Sequence, residues 1–427
     1  MLAVALFILV LLIVLSIPVA ISLGWLGLLL GAIYSRMPVH RAMGDMAWGA
    51  STEFLLVAIP MFVMLGEILL RSGVAARMYD ALAKWLSALP GGLMHANVAS
   101  CALFAATSGS SVATAATIGT VAQPEMEKHG YHVPLFLGTI AAGGTLGILI
   151  PPSINLIVYG LLTNTSVSEL YLAGFIPGFL LAALFMGTVT VACVIRPEWG
   201  GAKISYSWAE RLASLVHLLP PILIFLVVVG SIYAGWATPT EAASLGVVAA
   251  LVLAAAHRGL SLGMLAAVFR GTMRTTGVIM LIIIAAVFLN FVLAAVGLTT
   301  MLTDGIISLG LGPLGTMLLI VAFYLLLGCF METFSMLITT ATIITPIVVG
   351  LGYDPVWFGV LLMVLLETAL ITPPIGINLF VVQSIRTGGA LKDVMVGAAP
   401  FVMTMLAMIG LLIAFPGLAL WMPGLFY

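Results

Sequence analysis

The sequence predicts an all-α polytopic membrane protein built as an inverted repeat, with two re-entrant helical hairpins and two broken helices. Three observations carry that expectation: the scarcity of charge, the sorting of the cationic residues, and an internal repeat at offsets of 221–224 residues. Of 427 residues, 63% are hydrophobic and 7% are charged, with 14 Lys+Arg and 15 Asp+Glu. An ordinary soluble domain is about 25% charged, and so few charges cannot cover a soluble protein of this length. That excludes a soluble enzyme, a disordered chain and a nucleic-acid binder with a basic face. Cys101, Cys193 and Cys329 are isolated in apolar stretches, so neither a disulfide framework nor a zinc site is indicated. Only His129 and His132 lie close together, without a third ligand nearby.

A membrane helix takes about 20 apolar residues. On that scale, spans fall at 2–33, 52–70, 133–163, 168–195, 213–234, 238–257, 275–298, 355–385 and 395–421. The first lacks a leading cluster of positive charge and is too long for a signal peptide, which makes it a retained, tilted span. Two more apolar stretches, 91–127 and 313–350, carry small or polar residues in their middle: Thr107 to Ser111 in one, Gly328 to Thr333 in the other. Each reads as two half-length helices meeting at a tip, a shape tolerated at membrane depth only when buried in protein or lining a wet cavity. With both treated as hairpins, Arg71, Arg77, Lys84, Lys128, Arg196, Lys203, Arg211, Arg258, Arg270, Arg274, Arg386 and Lys392 fall on one side. Only Arg36 and Arg41 fall on the other. By the positive-inside rule the richer side is cytoplasmic. The expectation is a membrane protein with its N-terminus in the cytoplasm and its C-terminus outside.

The two halves echo each other in order. Pro18, Gly24 and Arg36 match Pro239, Gly246 and Arg258; Thr52, Gly73 and Asp80 match Thr276, Gly297 and Asp304. Pro90, Pro124, Gly130-Tyr131, Pro151-Pro152, Asn155 and Pro177 match Pro313, Pro346, Gly352-Tyr353, Pro373-Pro374, Asn378 and Pro400. Five spans separate the copies, and an odd number turns the second upside down, the architecture of secondary transporters. The expected units are a first repeat over 1–195, a connector over 196–236 and a second repeat over 237–427. Segment 73–88 places Val74, Met78, Leu82, Trp85 and Leu86 on one helical face, as a lateral helix at the bilayer surface would. Its mate is expected over 297–312.

The chemistry concentrates where the repeats break. Pro151-Pro152-Ser153-Ile154-Asn155 lies inside the span over 133–163, and Thr372-Pro373-Pro374 to Gly376 and Asn378 lies inside the span over 355–385. Two adjacent prolines remove two amide donors and clash with the preceding turn. The freed carbonyls, with Asn and Thr oxygens, form a hard-oxygen set suited to Na⁺. The hairpin tips add Ser108, Gly109, Ser110, Ser111 and Thr114 on one side, and Gly328, Glu332, Thr333 and Ser335 on the other. The helix after each tip offers free N–H groups and a positive dipole end that can hold a carboxylate. Glu53, Glu67, Glu241, Glu332 and Glu367 lie at or near membrane depth. Such acids are costly, and Glu332, at a tip, is the candidate for an ion-linked role; the other four suit structural hydrogen bonding. No His or second carboxylate stands at ligand spacing from any of them, which argues against an intramembrane enzyme. A passive channel with re-entrant loops would share the hairpins.

Four motifs carry a resemblance: SGSSVATAATIG at 108–119, GILIPPSIN at 147–155, ATPTEAAS at 237–244 and TPPIGINLF at 372–380. With them, essentially the whole chain resembles the large membrane subunit of the TRAP (tripartite ATP-independent periplasmic) transporters. The resemblance implies an elevator-type transporter, not an enzyme, importing an organic anion such as a C4-dicarboxylate or sialic acid by symport with Na⁺. It implies Na⁺ at Ser110, Ser111, Pro151, Thr333, Thr372 and Gly376, and no organic cofactor. It also implies two partners, a small four-helix membrane subunit and a periplasmic substrate-binding protein, with lipid around the spans. A coupled transporter working without a binding protein is the alternative.

Overall fold

The computed structural model describes residues 2–426 apart from 16, 258, 299–300, 302–304, 306–309, 330, 375 and 387. Every regular element among the described residues is helical. Six helices are each long and apolar enough to cross a bilayer: Phe54–Arg71, Val167–Ile195, Pro239–Ala256, Leu262–Ala295, Thr333–Gly350 and Leu391–Ala414. The pair Trp208–His217 and Leu219–Tyr233, bent by 41°, makes a seventh. The remaining apolar helices are shorter, because the segments they belong to are interrupted.

Three elements differ from the sequence expectation. The N-terminal stretch is not one span over 2–33 but two helices, Leu2–Val14 and Val19–Tyr34, with Pro18 at the start of the second. A proline lacks the N–H that would continue the first helix. The helix expected over 275–298 begins at Leu262, where the Ser261 hydroxyl accepts from the Met264 N–H at 3.1 Å, and runs to Ala295. At 1.5 Å per residue it is about 51 Å long, against about 30 Å of hydrocarbon, so one end projects beyond the bilayer. A short helix that the apolar ruler misses, Met43–Ser51, packs beside it with no buried residue.

Both interrupted motifs are present in each half. The first hairpin is Leu93–Ser108 and Ser111–Lys128; the second is Gly312–Gly328 and Thr333–Gly350, its legs tied by the Tyr324 and Thr340 hydroxyls at 2.6 Å. The broken spans are Val133–Thr145 with Ile154–Thr163, and Pro355–Ile371 with Ile377–Ile385. The Pro151–Pro152 and Pro373–Pro374 peptide bonds are cis. The lateral helix, Val74–Leu86, buries Val74 and Met78 and half-buries Leu82, Trp85 and Leu86. It also buries Tyr79, whose hydroxyl donates to Asn97 Oδ1 at 2.9 Å; Asn97 Nδ2 in turn donates to Thr139 Oγ1 at 2.8 Å. This chain of satisfied polar groups fixes lateral helix, hairpin and broken span to one another. The mate over 297–312 lies largely outside the described residues, as do Asp304 and Arg258.

A two-fold relation between halves requires every inter-repeat contact to occur twice, with roles exchanged. Val19–Tyr34 packs on Leu262–Ala295, and the exchanged pair, Ala58–Arg71 on Pro239–Ala256, is also packed. Val133–Thr145 packs on Leu391–Ala414, and Pro355–Ile371 on Val167–Ile195. Ser111–Lys128 meets Ile377–Ile385, and Thr333–Gly350 meets Ile154–Thr163. The first of these sets forms a frame. The other two interlock the hairpins, broken spans and last spans of both halves into a second body.

That second body depends on backbone-to-backbone crossing. A Cβ on Gly138 would lie 2.0 Å from the Gly397 carbonyl oxygen, and a Cβ on Gly397 would lie 1.7 Å from the Pro134 carbonyl oxygen. Small residues at such a crossing let two membrane helices approach without a hydrophobic drive between them. Gly138→Ala should therefore destabilise the detergent-purified protein by about 3 kcal/mol or more, since backbone cannot move aside as a side chain can. Gly187→Ala, where nothing lies within 4 Å, should leave the melting temperature unchanged or slightly raised. Thermal unfolding of both variants checks this; equal melting temperatures would contradict the crossing.

Candidate functional site

The tip of the first hairpin is built by one glycine and one serine. Gly109 sits at φ +62 and ends the first leg, where a side chain would be strained. A Cβ there would also lie 2.6 Å from the Pro152 carbonyl oxygen, so the tip rests directly on the first break. Ser110 caps the second leg, accepting from the Ala113 N–H at 3.4 Å. Its carbonyl accepts from Thr114 Oγ1 at 2.6 Å, and Thr114 Oγ1 shares a hydrogen with Ser108 Oγ at 3.2 Å. Ser111 Oγ accepts from Asn378 Nδ2 at 3.0 Å, a direct bond from the first hairpin to the second broken span. Asn378 Nδ2 also donates to the Ala141 carbonyl at 3.1 Å, while its Oδ1 is buried without a partner.

The second tip has different electrostatics. Glu332 caps Thr333–Gly350: Oε2 accepts from the Ser335 N–H at 3.1 Å and from Ser335 Oγ at 3.2 Å, and Oε1 accepts from Thr333 Oγ1 at 3.0 Å. The residue expected to carry an ion-linked role therefore closes its own helix and offsets that helix's positive end. Of the two hairpin tips, the first starts its second leg under a neutral side-chain cap, Ser110.

Both tips face one cavity of about 120 Å³, room for several waters or a small organic anion. Of the sequence-derived candidates, Ser108, Gly109, Ser110, Ser111, Asn155, Glu332 and Thr333 line it. Asn155 is 2% exposed and its Nδ2 has no partner, so it presents an unsatisfied donor at the wall. Thr114 and Ser335 sit just behind the lining through the bonds above. Pro151, Pro152 and Ser153 are fully buried; Ser153 donates to the Ile148 carbonyl, and its own carbonyl accepts from Tyr171 at 3.3 Å. Gly328 packs on Ala369, where a Cβ would come within 2.4 Å of the alanine methyl. Thr372 turns back to the Thr368 carbonyl at 2.6 Å, and Gly376 packs against the Leu370 and Ile371 backbone. Pro373 and Pro374 are exposed, with Cys329 Sγ 3.6 Å from the Pro373 carbonyl. None of this last group lines the cavity.

The wall opposite the tips was not anticipated. Val63, Gly66, Glu67 and Leu70 form one face of Ala58–Arg71, joined by Thr275 and Ile279 of the long helix. The spacing of the first four, at i, i+3, i+4 and i+7, is that of a single helical stripe. Glu67 was legible as an acid within an apolar run, but nothing local shows which way such a run turns. Of the other acids, Glu241 completes a capping box with Thr238, and Glu53 precedes the turn Phe54–Val57. Glu367 is fully buried, its carboxyl beside the Leu149 backbone of the first break.

Comparisons with known proteins bear on the family and the fold. The C4-dicarboxylate TRAP transporter large permease protein DctM of Pseudomonas aeruginosa is 36% identical over 94% of this chain and 93% of its own length. The sialic acid TRAP transporter large permease protein SiaM of Vibrio cholerae is 30% identical over 96% and 95%. Among solved structures, the YdaH transporter of Alcanivorax borkumensis superposes with a TM-score of 0.61 over 95% of this chain and 99% of its own, at 15% identity, a likeness of fold alone. Residues 6–418 match the family described as tripartite ATP-independent periplasmic transporter, DctM component. The chain is a multi-pass membrane protein belonging to that DctM family of transporter permeases.

Proposed function

We propose that this chain is the large permease subunit of a binding-protein-dependent symporter that imports an organic anion together with Na⁺. The observation that carries the reading is the convergence of two hairpin tips from opposite repeats on one cavity, beside both broken spans. The neutral-capped start of the Ser111 helix suits a carboxylate. Na⁺ would take the hydroxyls and break carbonyls around Ser110, Ser111, Pro151, Thr333, Thr372 and Gly376. The hairpin-bearing body would move as an elevator against the frame. Unequal burial of chemically matched breaks supports alternating access: Pro151 and Pro152 are sealed, while Pro373 and Pro374 are exposed. The partners would be a small four-helix membrane subunit and a soluble periplasmic substrate-binding protein. The assembly would sit in the inner membrane, and the cation asymmetry supports a cytoplasmic N-terminus and a periplasmic C-terminus.

In proteoliposomes holding the assembled transporter, uptake of succinate or sialic acid, whichever the binding protein takes, should fall to background when Na⁺ is replaced by K⁺. Equal rates in the two salts would remove the coupling. Ser111→Ala should raise the Na⁺ concentration for half-maximal uptake, because Asn378 Nδ2 loses a buried acceptor. A loss of about 1–2 kcal/mol corresponds to roughly 5- to 30-fold. An unchanged Na⁺ dependence would exclude the hydroxyl from the ion site.

A further inference from the structure

The central cavity has two unlike walls. One is made of hairpin tips, rich in hydroxyls and helix starts. The other belongs to the frame and is apolar except for Glu67 and Thr275. Glu67 is held there by two features. The Arg71 guanidinium contacts it through Nε at 3.1 Å and Nη2 at 3.0 Å, both on Oε2. Its carboxyl group also lies against bare backbone of the long helix: a Cβ on Gly271 would fall 2.6–2.7 Å from all three carboxyl atoms. One residue earlier, Gly66 brings this helix against the first tip, where a Cβ would stand 3.4 Å from Ser108. The carboxylate is thus a fixed negative charge on the frame, facing the groups that hold the cargo.

We propose that Glu67 is a positioning residue that couples cargo occupancy to movement of the hairpin-bearing body. The inference rests on the symport reading above. A body loaded with cations but lacking the organic anion carries net positive charge. Across this small cavity that charge is attracted to Glu67, which holds the body against the frame. Binding of the carboxylate cancels the excess charge and releases it. The frame carboxylate therefore suppresses movement of Na⁺ without cargo, a leak that would dissipate the gradient. Arg71 orients the carboxylate and projects its own charge along the helix, since it does not line the cavity.

The test measures ²²Na⁺ entry into proteoliposomes of the assembled transporter with no organic anion present. Thermal stabilisation by Na⁺ over K⁺ is recorded on the same preparations. Wild type should show a small leak. Glu67→Gln should raise it about fivefold or more, the scale expected for losing one modest charge interaction. Glu67→Asp should restore part of the restraint. Gly271→Ala, which displaces the carboxylate without removing it, should leak to an intermediate degree. Arg71→Gln removes the cation paired with Glu67 while keeping the carboxylate, and should leak no more than wild type. Wild-type leak in every Glu67 and Gly271 variant that folds would overturn the proposal, as would an Arg71→Gln leak equal to that of Glu67→Gln. No Na⁺ stabilisation of the wild type would instead remove the underlying symport reading.

Discussion

In hydrocarbon a backbone N–H or C=O has no solvent to bond to, so an interrupted helix survives only where protein or a wet cavity receives its freed groups. The rest of this structure follows from that constraint. Four interruptions, two hairpin tips and two proline-paired breaks, must all be hidden from lipid. The first tip and the first break are hidden against each other, the tip sitting on the Pro152 carbonyl; Ser111 takes the amide of Asn378 just after the second break, whose Pro373 and Pro374 remain exposed. Gly147 extends the same packing, since a Cβ there would come within 2.7 Å of the Ser110 backbone. The polar interior that results is a by-product of satisfying the backbone, and it is where an ion or a carboxylate can be accommodated.

The repeats share topology but not electrostatics. Ser110 and Glu332 occupy matching cap positions, and that single difference leaves one helix start open to an anion while the other is already neutralised. The matching breaks also differ in exposure. A strictly symmetric pair could not present different access on its two sides, so inequality between near-identical parts is what an alternating carrier requires. The glycine crossing at 138 and 397 brings Val133–Thr145 and Leu391–Ala414 into backbone contact.

Much of this architecture is legible in the residues. The charge count fixes the solvent, the ordered matches between halves fix the inversion, and Pro-Pro inside an apolar run marks a break by its missing donors. The less legible parts depend on orientation. Glu332 reads as an acid at a hairpin tip, but the local sequence does not show that its carboxyl closes the helix that follows it. Glu67 reads as one acid among several, because the direction in which Ala58–Arg71 turns is set by packing on Pro239–Ala256 and Leu262–Ala295, which are distant in sequence. The start of the long helix at Leu262 escapes a ruler based on hydrophobicity, since its N-terminal part carries Arg270 and Arg274.

The central claim is that the four interrupted segments enclose the cargo. An electron cryo-microscopy structure of the assembled transporter with Na⁺ and its transported carboxylate tests it most directly. The account predicts ligand density between Ser108–Ala113 and Glu332–Phe334, with Asn155 at its edge. Density bound elsewhere in the chain, with this cavity closed or filled by side chains, would contradict it.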